Sequence, residues 1–260
     1  MQSFNRLNRF ARLFPSLAMA GVLAFAVAPA AAWEWGFGSK VSGSGIIKSE
    51  VRNVSGFTGI SLSVPAKAEI IQGGSEGVSI ETDDNILPLV ETIVDNGTLK
   101  IRFKDRNMSV STKTFKVTIN AKTIESLSVA GSGDVNVAKL QTGKLKTSIA
   151  GAGDVRILAL DVDSLVVSIA GSGDFSAGGK ANSVEAKIAG SGDIKIEKLA
   201  ANHVKIGIAG SGDARVWAKD TLTISVAGSG DVAYYGDAKV SQSVAGSGSV
   251  KRLGNAPAGG

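Results

Sequence analysis

One five-residue phrase, Ala-Gly-Ser-Gly-Asp, recurs through the second half of this chain at almost constant spacing. It occupies Ala130–Asp134, returns as Ala150-Gly151-Ala152-Gly153-Asp154, and recurs at Ala170, Ala189, Ala209 and Ala227. The seventh copy, from Ala245, ends in Ser249 instead of aspartate. The steps between starting alanines are 20, 20, 19, 20, 18 and 18 residues. A fixed period near twenty is the signature of a stacked repeat, in which one unit cannot bury its apolar side but neighbouring units can.

The residues around each phrase alternate apolar and polar, which is strand periodicity and not helical periodicity. Leu127 and Val129 precede the first copy and Val135 and Val137 follow it; Leu165, Val167 and Ile169 precede the third. Read with unbroken parity, Val129, Gly131, Gly133, Val135 and Val137 share an inner face, and Ala130, Ser132 and Asp134 lie outside. The fold class expected is all-β: a right-handed parallel β-helix with coils of about twenty residues, equivalent positions stacked roughly 4.8 Å apart. A β-sandwich also has regularly spaced strands, but it does not need the same phrase in each.

The first 32 residues read as a signal peptide. Arg6, Arg9 and Arg12 form a basic segment, Leu17 to Ala28 an apolar one, and Ala28, Ala30 and Ala32 offer small-residue cleavage sites. The expected location is therefore the periplasm, the outer-membrane surface or the extracellular space. The formal charge of +5 falls to +2 once those three arginines are removed. No Lys/Arg block interleaves with aromatics, which argues against nucleic acid as a partner. The absence of cysteine excludes disulfides, thiolate metal sites and a cysteine-linked lipid anchor.

The remaining divisions expected are a flexible Gly/Ser-rich linker over 33–45, one β-helical domain over 46–253, and a tail over 254–260. Within the domain, 46–123 is strand-like without repetition and 124–253 carries the repeats. Asn96-Gly97, between Val94 and Leu99, is a strong hairpin signal. Pro88 limits any helix over Asp83–Val90 to a single turn.

Gly56-Phe57-Thr58-Gly59-Ile60, Ile70-Ile71-Gln72-Gly73, Asp84-Asn85-Ile86-Leu87-Pro88 and Asn96-Gly97-Thr98-Leu99-Lys100-Ile101, followed by the small-residue phrases, resemble the head GIN domain family of bacterial envelope proteins. That family is described as auto-transporter adhesins and was formerly a domain of unknown function. The resemblance runs from about Val41 to Leu253. It implies a β-helical, envelope-located domain without established catalysis. Nothing after Leu253 could form a translocator barrel, so the resemblance is expected to concern the head alone.

In register, the phrases bring Asp134, Asp154, Asp174, Asp193, Asp213 and Asp231 into a carboxylate ladder. Unit charges about 4.8 Å apart repel by roughly 1 kcal/mol even in water. Backbone N–H groups at the bend, the bases Arg156, Lys195, Arg215 and Lys251 two positions on, or bound cations could offset this. Glycine-rich calcium-binding β-rolls need a nine-residue register, which is absent. Catalysis finds little support: His203 is the only histidine and no nucleophile elbow marks one serine. No cofactor is expected.

The favoured reading is a non-catalytic binding or adhesion module. Its candidate stripe is Ser132, Asp134, Asp154, Ser172, Asp174, Ser191, Asp193, Ser211, Asp213, Ser229 and Asp231. The partner expected is a glycan or an envelope protein, and the flat stripe could also pair copies of the chain. A purely structural envelope scaffold is the alternative, with calcium binding and polysaccharide cleavage behind it.

Overall fold

Alternation over the N-terminal part becomes nine strands in the computed structural model, which describes residues 40–257. These are β1 (Lys40–Ser42), β2 (Ile47–Arg52), β3 (Gly59–Ser63), β4 (Lys67–Gln72), β5 (Gly77–Asp83), β6 (Val90–Asp95), β7 (Thr98–Phe103), β8 (Ser109–Ser111) and β9 (Lys116–Ala121). The repeats supply β10 (Ser126–Gly131), β11 (Asp134–Gly151), β12 (Val155–Gly171), β13 (Phe175–Gly190), β14 (Ile194–Gly210), β15 (Ala214–Gly228), β16 (Val232–Tyr235), β17 (Lys239–Gly246) and β18 (Val250–Gly254). The expected signal peptide, 1–32, lies outside the described residues. So do the linker as far as residue 39 and the last three residues of the tail.

The fold is the β-solenoid that the period implied. Successive long strands β11 to β15 pair in parallel, phrase against phrase: Ala150↔Ala170, Ala170↔Ala189, Ala189↔Ala209 and Ala209↔Ala227. In β11 the inward alternation breaks at two exposed pairs, Ala138-Lys139 and Gly143-Lys144. With the bend in the glycine phrase, these make a coil of three sides. Val135 and Val137, then Leu140, then Leu145, Thr147 and Ile149 point into one continuous core.

The non-repetitive part does two jobs. β3 and β4 pair in parallel with β10 and β11 and extend the solenoid. Strands running the other way close that end: β2 and β9 each pair antiparallel with β5, and β6 with β7. The β6–β7 turn is the expected Asn96-Gly97, with φ of 50° and 72°, the left-handed pair that a two-residue hairpin needs. The short turn before β6 is a 3-10 helix, Leu87–Leu89, with Pro88 in it.

Part of the expected linker is ordered. β1 pairs with β8, and the Gly45 N–H donates to Asp83 Oδ1 at 2.6 Å while Thr112 Oγ1 donates to Oδ2 at 2.5 Å. These bonds, Thr112's first, hold the Asp83 carboxyl below the usual aspartate range. A Cβ at Gly43 would stand 2.3 Å from that carboxylate. The glycine therefore serves close approach, not flexibility.

The opposite end is plainer. All eight residues of β17 are exposed, and Gln242 stands where the coils beneath have Ile224 and Ile206. An atypical terminal repeat is normal for a solenoid.

Thr147 is the one polar residue in the inner column between Leu127 and Val167. It is fully buried and its Oγ1 has no partner. A buried hydroxyl left unpaired costs about 1–3 kcal/mol, whereas an apolar group of the same shape avoids that cost. Thr147→Val is expected to raise stability by about 1 kcal/mol, read as a higher urea midpoint.

Candidate functional site

The glycine phrase forms the corner of each coil, and each position has a distinct role. The first glycine takes a left-handed backbone, with φ from +97° at Gly131 to +137° at Gly228 in the first six copies. It is partly or wholly exposed, so the unbroken parity expected across the phrase does not hold there: the chain turns at this residue. The second glycine does face inward. A Cβ at Gly173 would lie 2.2 Å from the Gly153 carbonyl oxygen and 2.9 Å from Ile149 Cγ2. Any side chain there would strike the coil beneath.

At the bend, the carbonyl of the first glycine accepts the N–H of the third phrase residue in the next coil, and for Gly131, Gly151 and Gly171 that of the fourth as well. Gly131 O takes Ala152 N–H at 2.8 Å and Gly153 N–H at 3.0 Å. That leaves the fifth residue's N–H, and a backbone donor without a partner is costly. The aspartate one coil earlier meets it: Asp174 N–H donates to Asp154 Oδ1 at 2.9 Å, Asp193 N–H to Asp174 Oδ1 at 2.9 Å, and Asp231 N–H to Asp213 Oδ1 at 2.8 Å.

Both ends of the ladder are finished. Asp134 N–H donates to the Ala66 carbonyl at 2.9 Å. At the other end Ser249 donates both its N–H and its Oγ–H to Asp231 Oδ1, each at 2.8 Å. The serine hydroxyl adds a second donor to the same carboxylate, which an ionised aspartate side chain at 249 could not.

Of the four bases expected to screen the ladder, only Lys195 closes ion pairs with it among the described residues. Its Nζ lies 2.7 Å from Asp174 Oδ2 and 3.2 Å from Asp193 Oδ2. The Asp174 bond, first, raises the lysine above its ordinary pKa. Its ammonium is substantially solvated, so the pair contributes little to stability. Arg156, Arg215 and Lys251 reach no ladder carboxylate.

The expected stripe is thus assembled in register. Ser132, Ser172, Ser191, Ser211 and Ser229 lie exposed on the corner, one per coil except at Ala152. Asp134, Asp154, Asp174, Asp193, Asp213 and Asp231 lie beside them, each with Oδ1 committed to the next coil; Oδ2 of Asp174 and Asp193 is taken by Lys195. His203 is exposed on another side, its Nδ1 3.0 Å from Thr221 Oγ1, and touches no ladder residue. Among the described residues no group of three or more His, Asp or Glu side chains is placed to hold a metal ion.

The ladder bonds set a test. Asn keeps an acceptor oxygen and removes the charge, whereas Ala removes both. Asp213 has no ion-pair partner among the described residues, so Asp213→Asn is expected to leave stability within about 0.5 kcal/mol. Asp213→Ala is expected to lose about 1 kcal/mol for the missing bond. Chemical denaturation of the two variants measures the difference. Stoichiometric micromolar calcium binding abolished by Asp213→Asn would contradict the structural role.

A second ladder escaped the sequence reading. Two residues before each alanine, Ser128, Ser148, Ser168, Lys187, Gly207, Ser225 and Ser243 align across the strands. The signal was present, since most copies read Ser-Val-Ala or Ser-Ile-Ala.

The family model described as "Putative auto-transporter adhesin, head GIN domain" matches residues 56–238. No curated protein matches the chain. Among solved structures, one described as a putative adhesin from Bacteroides fragilis is 29% identical, with a TM-score of 0.77, covering 82% of this chain and 100% of that one. One described as a putative lipid binding protein from Parabacteroides distasonis is 27% identical, with a TM-score of 0.68, covering 83% and 100%. A putative adhesin from Parabacteroides merdae, at 24% identity and a TM-score of 0.67, covers 83% and 99% and shares the fold.

Proposed function

The chain belongs to the family described as "Putative auto-transporter adhesin, head GIN domain", and from that premise we propose that it is an exported, non-catalytic binding module of the bacterial envelope. Its contact strip is the corner ladder of Ser132, Ser172, Ser191, Ser211 and Ser229 with the six aspartates Asp134, Asp154, Asp174, Asp193, Asp213 and Asp231. One observation carries this reading: exposed hydroxyls recur in every coil but that of Ala152, beside carboxylates of which only Asp174 and Asp193 have their second oxygen paired, both with Lys195. Such a row suits a partner that itself repeats, a glycan first and an extended envelope protein second. The similarity to a structure described as a lipid binding protein adds lipids to the partner classes worth screening.

The scaffold alternative draws on the same geometry, because Oδ1 of each aspartate serves the fold. The two readings part at the serines, whose hydroxyls make no bond within the chain among the described residues. Ser172→Arg together with Ser191→Arg is expected to abolish binding on arrays of bacterial surface glycans while leaving the unfolding midpoint unchanged. Blank glycan and envelope-protein screens with folded protein favour the scaffold. Export is tested separately: fractionation should find the mature chain, cleaved near Ala32, in the envelope, and an uncleaved cytoplasmic chain would remove that part of the reading.

A further inference from the structure

The side of the coil that carries the second ladder differs from the acidic corner in charge and in relief. From β11 to β17 it presents Lys144, Lys146, Lys187, Lys205 and Lys239 against one carboxylate, Glu185. The rest is mainly serine, alanine and threonine. In the middle of this side the surface sinks into an apolar depression of about 630 Å³. It crosses four coils, from Ala170 to Ala227, or about 14 Å at strand spacing. Ala189, Ala209 and Gly207 form its floor; Lys187 and Lys205 stand at its rim, both drawn to Glu185 at 2.9 and 3.8 Å.

Gly207 opens this depression, and the fold does not require a glycine there. It has no left-handed φ, and a Cβ built on it would meet only Lys187 Cγ, at 3.7 Å. Corner glycines such as Gly210 and Gly212, by contrast, would meet backbone at 2.1–2.2 Å. An interior strand glycine weakens a strand and often marks close approach of a ligand. Here the missing side chain leaves a notch in a column otherwise filled by serine or lysine.

We propose that this depression binds a single soluble amphiphile with one acyl chain and an anionic head, a long-chain carboxylate. The chain lies across the alanine and glycine floor, where its burial supplies the affinity. The head is held by Lys187 and Lys205 at the rim. Charge sets the occupant apart from a second copy of the chain, because two such sides face to face would set lysine against lysine. The apolar floor sets it apart from a polyanion, which would leave that floor uncovered. The inference takes from the proposed function the idea of a binding module with lipids among its partner classes, but it uses a different side of the coil. The Ser172/Ser191 variants should leave it untouched.

The test is isothermal titration of the whole purified protein with octanoate and dodecanoate below their micelle concentrations. Dodecanoate is expected to bind one to one and well over tenfold more tightly than octanoate, since each buried methylene contributes up to about fourfold. Gly207→Leu fills the notch, its Cβ in ordinary contact with Lys187 Cγ, and is expected to weaken dodecanoate at least about tenfold. Ser243→Leu, in the same column beyond the depression, should not. Lys187→Ala with Lys205→Ala should weaken binding and flatten its salt dependence. No dodecanoate binding, no gain with chain length, or unchanged binding in folded Gly207→Leu overturns the proposal. So does binding confined to phosphatidylglycerol vesicles, or a dimer that forms without ligand and is broken by Gly207→Leu.

Discussion

Gly192→Ala is expected to destabilise the protein by at least about 3 kcal/mol, the upper range for overpacking a closed interior. The added Cβ would stand 2.1 Å from the Gly173 carbonyl oxygen and 3.0 Å from Ile169 Cγ2. The coils cannot part to admit it. Ser191 N–H and Gly192 N–H both donate to the Gly171 carbonyl, at 2.9 and 3.1 Å, and Asp193 N–H is tied to Asp174 Oδ1. A shift at one corner would strain bonds on both sides of the methyl. Gly207→Ala is the control: its Cβ meets no backbone, so it should be neutral or slightly stabilising. Urea unfolding of the two variants checks this. Equal midpoints would mean that the corner is far looser than its geometry.

Ile169→Ala is the second large effect, about 2–5 kcal/mol, from lost transfer energy and the cavity left behind. Ile149, Ile169, Ile188 and Ile208 form one column in register through the core, each no more than 3% exposed. Ile169 lies beneath the inner glycine of the next coil, so two rungs lose packing at once. Ser172→Ala, three residues on and outside the corner, should stay within about 0.5 kcal/mol. Because each coil contacts chiefly its neighbours, hydrogen exchange should quicken first in β12 and β13 and less in β4 or β9. A uniform loss of protection would argue against that local coupling.

The corner phrase shows how much was legible and where reading stopped. Apolar alternation around it marked Val129, Val135, Ile149 and Ile169 as core, and they are core, since side-chain period two is local to a strand. The inward place of the second glycine was legible for the same reason. The outward place of the first was not, because a left-handed residue in mid-strand breaks the parity count, and its cause is the carbonyl of the coil beneath. Aspartate was recognised as a bonding or screening residue. Its donor, the equivalent N–H one coil later, became visible only once register was known.

Architecture was therefore determined by the sequence alone: a twenty-residue period with strand alternation has few solutions other than stacked coils that share a core. The hairpin at Asn96-Gly97 belongs with it, since two adjacent left-handed residues are a local demand. Tertiary structure decided what happens across coils and around the three sides of each one. It bonded Gly45 to Asp83 and set Gly43 close against it, limited ladder ion pairs among the described residues to Lys195, and placed Lys187, Gly207 and Lys205 at one depression. Lys187 and Gly207 are twenty residues apart in sequence and one strand spacing apart in space. Their meaning depends on register and on which side of a corner they fall, and hydrogen bonding between coils sets both.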